Sequence, residues 1–105
     1  MQLIIRGHHL AITPAIEEKV KLQFEKLSKH LDHVSSVQVI LEKDHRLTAL
    51  SHKGEYNYSA EVILRLPGKE LFAKASADDM YTAIAFMTEK LRRQLERHKT
   101  LKKVA

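Results

Sequence analysis

Lysine and arginine side chains crowd the last 19 residues of this chain, and their spacing is its strongest indication of chemistry. Residues 87–105 hold seven basic and two acidic side chains, whereas residues 1–86 hold eleven of each. The net charge of +5 therefore resides entirely at the C-terminal end. A localised positive field attracts polyanions, either nucleic acid or an anionic membrane surface, although basic ends also serve solubility alone.

The spacing of these cations predicts a row along one flank of a helix. At about 100° per residue, Lys90, Arg93 and Arg97 share a flank, and Phe86 precedes them on it. A second row is predicted on the corresponding flank of an earlier helix. It consists of Lys19, Lys26 and Lys29, of which Lys29 lies nearer the solvent face. Such rows can track a phosphate backbone or be ordinary solvated faces, and we favour phosphate binding. Phe86 could stack on an unpaired base, but we favour packing against a loop or terminus.

Histidines and paired carboxylates offer the other candidate chemistry. His30 and His33 lie one helical turn apart, which suits zinc, but the chain has no cysteine and no H-E-x-x-H pattern to complete a site. Asp78 and Asp79 fall at a predicted helix start, where capping explains them better than acid–base catalysis. Glycine-rich phosphate loops and nucleophile elbows are absent from the sequence. We therefore expect no enzyme, no cofactor and no metal site.

Hydrophobic periodicity predicts four strands that would position these side chains. Alternating apolar residues place the strands at 2–7, 36–43, 56–66 and 69–76. Pro67-Gly68 is typical of a turn, so the last two strands should form an antiparallel hairpin. Residues 44–55 lack a clean period and contain Gly54, so we expect a loop or an extended, mobile hairpin connection there.

Two amphipathic helices complete the predicted order βαβββα. The first begins at Pro14 after the capping residue Thr13 and should end near Asp32 or His33. The second begins around Asp78 and Asp79. Their apolar stripes are Ile16, Val20, Phe24, Leu27 and Leu31 on the first, and Met80, Ile84, Met87, Leu91 and Leu95 on the second. We expect an α+β fold in which the two helices pack on one face of a four-stranded sheet.

Length and composition set the compartment and the number of domains. A chain of 105 residues suits one domain, which we place at 1–105 with a basic, frayed tail at 98–105. The N-terminus offers only three consecutive apolar residues, 3–5, too few for a secretory signal or a membrane span. With no cysteine either, we expect a cytoplasmic protein with no membrane partner.

Four stretches of the sequence carry a family resemblance. They are Ile12-Thr13-Pro14-Ala15-Ile16, Lys26-Leu27, residues 79–84 (DMYTAI) and residues 90–99 (KLRRQLERHK). In these places the chain resembles the ribosome hibernation promoting factors and the related ribosome-associated inhibitor, protein Y. The resemblance spans nearly the whole chain, its D-M-Y-x-A-I…K-L-x-R-Q-L stretch is fairly specific, and it implies the same βαβββα fold.

The resemblance implies a protein that binds the small ribosomal subunit in stationary phase or stress, in the channel used by messenger RNA and transfer RNA. It would inhibit translation by occupancy and preserve idle ribosomes. The contacts to ribosomal RNA that it implies are Lys26, Lys29, Lys90, Arg93, Arg97 and Lys99, and Lys102 and Lys103 extend the charge. Gln23 stands where relatives often have a basic residue, and Lys19 one turn earlier would substitute for it.

The C-terminal end resembles the short hibernation promoting type. The chain has no room for the dimerisation domain of long members, and residues 102–105 (KKVA) replace the acidic tail of inhibitor-type members. Short members in some bacteria pair ribosomes with the help of ribosome modulation factor, a further expected partner, and we expect a monomer off the ribosome. The main alternative is a general double-stranded RNA-binding module, whose αβββα order is contained in this one. A membrane-surface role for the basic helix ranks last, because its flanks lack a large apolar face.

Overall fold

The computed structural model describes residues 2–43 and 57–104, with side chains described as far as His98. The predicted loop at 44–55 lies outside these residues. The elements are β1 (Gln2–His8), α1 (Pro14–Glu25), a 3-10 turn (Ser28–His30), β2 (Ser36–Lys43), β3 (Tyr58–Leu66), β4 (Lys69–Ala77) and α2 (Met80–Val104). The predicted order βαβββα is confirmed. The helix α2 extends to Val104, so its backbone includes most of the segment 98–105 for which the sequence predicts a basic, frayed tail.

The four strands form one sheet in the order β1-β2-β3-β4. β1 and β2 are parallel and joined by the α1 crossover, whereas β2–β3 and β3–β4 are antiparallel. The predicted hairpin between β3 and β4 is confirmed, since Leu66 pairs with Lys69 across a two-residue turn. Gly68 occupies the second turn position with φ of 71°, a left-handed conformation that glycine adopts without steric cost.

A single core lies between one face of the sheet and the two helices. The inward residues of the central strands are fully buried, as in the β2 series Val37, Val39 and Leu41. The predicted stripes are buried as well, except that Leu31 is only partly buried. Among residues 2–43 and 57–104, no element covers the other face of the sheet, to which every second side chain of each strand points. The predicted packing of both helices on one face is confirmed.

The first helix is shorter than its sequence pattern predicts. We expected it to end near Asp32 or His33, and that is wrong: α1 ends at Glu25 and the chain tightens into a 3-10 turn, where the amide of Leu27 donates to the Phe24 carbonyl at 3.1 Å. A helix continued to residue 33 would be about 30 Å long, longer than β1 and β2, the strands of 7 and 8 residues that it connects, which are about 23–26 Å long. The tighter turn returns the chain to the sheet, where Val34 is buried just before β2 begins.

Both helices begin at predicted caps, at the same end of the sheet. The Thr13 hydroxyl accepts a hydrogen bond from the amide of Ile16 at 3.2 Å, and an Asp79 carboxylate oxygen accepts one from the amide of Thr82 at 2.9 Å. Because β1 and β4 run in the same direction, the helices that follow them run back across the sheet side by side. Among the described residues, neither helix combines the length and hydrophobicity that crossing a membrane requires.

Candidate nucleic-acid interface

The predicted cation row of α2 lies along the outer edge of the sheet. We call Lys90, Arg93 and Arg97 the α2 row; all three side chains are exposed. The Lys90 ammonium donates a hydrogen bond to the Lys74 carbonyl oxygen at 2.9 Å, and the Gln94 amide donates to the Phe72 carbonyl oxygen at 2.6 Å. Both acceptors belong to β4, which is an edge strand. The flank that carries the α2 row therefore overhangs the free edge of β4.

The cations of α1 lie on the other side of α2. We call Lys19, Lys26 and Lys29 the α1 row; Lys19 is half-buried, and Lys26 and Lys29 are exposed beyond the end of α1. Hydrogen bonds from Thr82 hold the pKa of Asp79 below its ordinary value, and the positive charge of Lys19 lowers it further. Lys19 is therefore close enough to the start of α2 to act on its capping carboxylate.

Lys90 and Lys19, one from each row, lie on different sides of α2. Lys90 extends toward the edge of the sheet at β4, whereas Lys19 faces the start of α2 from the α1 side. Both rows nevertheless remain on the helical layer, because α1 and α2 cover the same face of the sheet. The sequence predicts that the α1 row and the α2 row lie on corresponding flanks of their helices. Because α1 and α2 lie side by side, the flank of α1 that carries Lys19 faces α2, whereas the flank of α2 that carries Lys90 faces the edge of the sheet.

Arg92 is a cation that the sequence analysis left out of the site, and its charge is compensated. Its guanidinium contacts Glu89 through two hydrogen bonds of 2.9 and 2.5 Å and Glu96 through one of 2.6 Å. Its hydrogen bonds lower the pKa of Glu89 to about 2, and the same carboxylates raise the pKa of Arg92. Arg93 contacts Glu89 more loosely, at 3.4 Å. The i−3 and i+4 spacing of these glutamates was a readable signal.

Both acidic side chains of the C-terminal stretch are thus engaged by Arg92. Lys90 and Arg97 form no ion pair within the described part of the chain. Within the described side chains of α2, the positive charge that is left for a polyanion therefore lies on the α2 row. The side chains of Lys99, Lys102 and Lys103 lie outside the described residues, although their backbone belongs to α2.

The uncovered face of the sheet has a different charge pattern. We call it the open sheet face; its charged residues are Arg6, Glu42, Glu61, Arg65, Glu70 and Lys74. Three are positive and three are negative, so these six side chains carry no net charge. Arg65 and Glu70 are paired across β3 and β4 and form an ion pair at 3.2 Å. Such a face does not attract a polyanion over distance.

Among the described side chains, large apolar ones are exposed at four places, namely Leu22, Phe72, Tyr81 and Phe86. Phe86 is 52% exposed, so the prediction that it packs against a loop or terminus is wrong. Sequence reasoning missed this because exposure depends on which element lies beside the flank, and the flank of Phe86 overhangs an edge strand.

The histidines of the described residues do not form a cluster with other ligands. Across residues 2–43 and 57–98, no three histidine, cysteine, aspartate or glutamate side chains come together as a metal site would require. His30 is half-buried, and its Nδ1 atom is buried without a hydrogen-bond partner. One isolated imidazole nitrogen is not a metal site.

Known proteins resemble this chain over almost its whole length. A family model described as Sigma 54 modulation protein / S30EA ribosomal protein matches residues 3–103. The ribosome hibernation promoting factor of Acinetobacter guillouiae is 58% identical over 101 residues, which cover 96% of this chain and 89% of that protein. A ribosomal subunit interface protein from Coxiella burnetii has the same fold, with a TM-score of 0.80 at 24% identity over 95% of this chain and 99% of that one. The N-terminal domain of Thermus thermophilus Protein Y gives a TM-score of 0.72 at 26% identity, covering 93% and 99%.

Proposed function

Since this chain belongs to the Sigma 54 modulation protein / S30EA ribosomal protein family, we propose that it is a ribosome hibernation factor that binds the small ribosomal subunit. In this proposal it occupies the channel used by messenger RNA and transfer RNA. It thereby inhibits translation and preserves idle ribosomes in stationary phase or stress. A cytoplasmic location follows from binding ribosomes.

The observation that carries the proposal is the separation of charge between the two surfaces. In the α2 row, Lys90 and Arg97 lack carboxylate partners within the described residues and Arg93 contacts Glu89 only at 3.4 Å, whereas the charges of the open sheet face are balanced. Ribosomal RNA is a polyanion, and cations that are not neutralised by the protein's own carboxylates are available to displace its counterions. The helical layer, not the open sheet face, is therefore the surface we assign to ribosomal RNA.

The α1 row and the α2 row have distinct tasks in this proposal. Because they lie on two sides of α2, they contact two segments of ribosomal RNA instead of one continuous strand. Lys99, Lys102 and Lys103 continue the contact along the last turns of α2. Cations that contact phosphates at fixed positions recognise the shape of the folded RNA. These contacts do not by themselves distinguish one base sequence from another.

Sedimentation with purified ribosomal subunits over a salt series tests the proposal. We expect the protein to migrate with small subunits, and the logarithm of its binding constant to fall with that of the salt concentration, by about 0.7–0.9 per phosphate neutralised. Binding to any RNA duplex with no preference for small subunits would favour the double-stranded RNA-binding module instead. Binding that does not depend on salt would contradict the role given to the cations.

Three finer expectations belong to the same proposal. The protein is a monomer off the ribosome, acts as one ribosome-binding domain, and cooperates with ribosome modulation factor when ribosomes are paired. Analytical ultracentrifugation of the free protein tests the first. Sucrose gradients of ribosomes with the protein, with and without ribosome modulation factor, test the last.

A further inference from the structure

Phe86 is an exposed aromatic ring within a flank of cations. The other side chains of that flank up to Arg97 are Thr82, Lys90 and Arg93, all polar or charged. The ring is 52% exposed and has no described cation over its face. A single exposed apolar residue is common on any protein, so its exposure alone does not indicate a function. The side chains around it do.

The contacts between α2 and β4 fix where the ring lies. One turn of the helix, from Lys90 to Gln94, corresponds to a step of two residues on β4, from Lys74 to Phe72. The two steps match in length, since four helical residues rise about 6 Å and two strand residues about 6.6 Å. One turn earlier, Phe86 therefore lies beside Ser76, at the edge of the sheet. The ring is followed along the same edge by Lys90 and Arg93.

Lys90 is held in place next to this ring. Its ammonium has three donors, and the Lys74 carbonyl oxygen takes one of them at 2.9 Å. The remaining donors are available to a phosphate oxygen, and the anchored side chain loses less conformational entropy on binding than a free lysine would. The ring and the cation next to it are thus prepositioned as a pair.

We propose that Phe86 is a stacking platform for an unpaired base of the small-subunit ribosomal RNA, with Lys90 and Arg93 holding the adjacent phosphates. This inference rests on the proposed function and names one contact within it. Every nucleobase has a face that can stack on an aromatic ring, so the contact needs no particular base. Gln94, which donates to the Phe72 carbonyl oxygen, acts as a positioning residue that fixes α2 against β4.

A protein partner fits this site less well than RNA. Protein interfaces usually have an apolar centre with few charges. On this flank the described neighbours of Phe86 are polar or charged, and the side chain of Phe72 points to the opposite face of the sheet. Leu22 belongs to the other helix. An isolated ring among cations suits a base between two phosphates.

The test measures the affinity of four variants of the full chain for purified small subunits. Phe86→Ala and Phe86→Leu should each weaken binding by roughly 5- to 150-fold, the range measured for removing one base–aromatic stack. Phe86→Tyr keeps the ring and should bind as the unchanged protein does. Leu22→Ala is the matched control, since Leu22 is 47% exposed on α1, and should bind normally. The salt dependence should be the same in all four, because none alters a charge.

Chemical footprinting with dimethyl sulfate, kethoxal and a carbodiimide, which together report all four unpaired bases, identifies what the ring touches. One or two unpaired bases should be protected by the unchanged protein and by Phe86→Tyr, and become reactive again with Phe86→Ala at saturating concentration. Normal affinity of Phe86→Leu would overturn the inference while leaving the ribosome proposal intact. Weakened binding without any change in base reactivity would also overturn it, since the ring would then contact a ribosomal protein. If the unchanged protein does not bind small subunits, the proposed function and the inference both fail.

Discussion

The helical layer and the open sheet face differ in how their cations and carboxylates are paired. On the open sheet face, cations and carboxylates are neighbours across strands, as in Glu61 beside Lys74 and the Arg65–Glu70 ion pair. On α2, Glu89 and Glu96 converge on Arg92, which leaves Lys90 and Arg97 without carboxylate partners in the described part of the chain. The net charge of a stretch therefore does not identify the residues that bind a polyanion. The ion pairs within the stretch identify them, because they show which cations are already compensated by carboxylates.

Reversing charges on the two surfaces should have very unequal effects on binding. Arg93→Glu with Arg97→Glu should weaken small-subunit binding by about a hundredfold or more and remove about two phosphates from the salt dependence. Arg6→Glu with Arg65→Glu alters the net charge equally on the open sheet face and should change binding only slightly. Titration of both variants with small subunits over a salt series measures this.

Equal loss of binding in these two variants would mean that net charge, not the α2 row, determines affinity. Thermal unfolding serves as the control for folding. Both variants should melt close to the unchanged protein, because all four side chains are exposed and exposed ion pairs contribute little to stability.

Removing one carboxylate from α2 should increase the difference in uncompensated positive charge between the helical layer and the open sheet face. Glu89→Gln frees Arg93 from its contact at 3.4 Å and leaves Arg92 with Glu96. We expect small-subunit binding to tighten by a few-fold, with a steeper salt dependence. Glu61→Gln on the open sheet face is the matched control and should leave both quantities unchanged. Weaker binding of Glu89→Gln would show that Glu89 is needed to orient α2 cations, and not merely to compensate them.

The smallest expected effect is on the titration of Glu89. Its hydrogen bonds with Arg92 depress its pKa from an ordinary value of 4.5 to about 2. Because the folded pKa is the lower one, the ion pair's contribution to stability is present above pH 4.5 and is lost as the pH falls toward 2. Carboxyl carbon chemical shifts followed by NMR should give a midpoint near 2, and Arg92→Ala should return it toward 4.5. A midpoint that Arg92→Ala leaves unchanged would contradict the cause assigned here.

Much of the fold could be predicted because it follows from local patterns. Strict alternation, as in Val37, Val39 and Leu41, predicts strands with one buried face, and all three are buried. The end of α1 could not be predicted this way. Its apolar spacing continues to Leu31, and only the distance back to β2 forces the turn after Glu25.

The sequence predicts which flank of α2 carries the candidate site, but not what that flank faces. Helical phase placed Lys90, Arg93 and Arg97 on one side of α2, and the structure keeps them there. It could not indicate that this side overhangs β4, because helix orientation depends on contacts between distant parts of the chain. The exposure of Phe86 has the same origin, whereas the compensation of Arg92 was readable from its spacing to Glu89.

The hydrogen bonds from α2 to β4 also bear on self-association. An edge strand exposes backbone groups that can pair with a strand of another molecule, which is a common start of aggregation. On β4, the carbonyl oxygens of Phe72 and Lys74 already accept from Gln94 and Lys90. A foreign strand would have to displace two side chains before it could add to the sheet. The helix that carries the proposed RNA contacts therefore also protects this edge of the sheet from pairing with another molecule. A substitution of Lys90 would weaken both RNA binding and this protection.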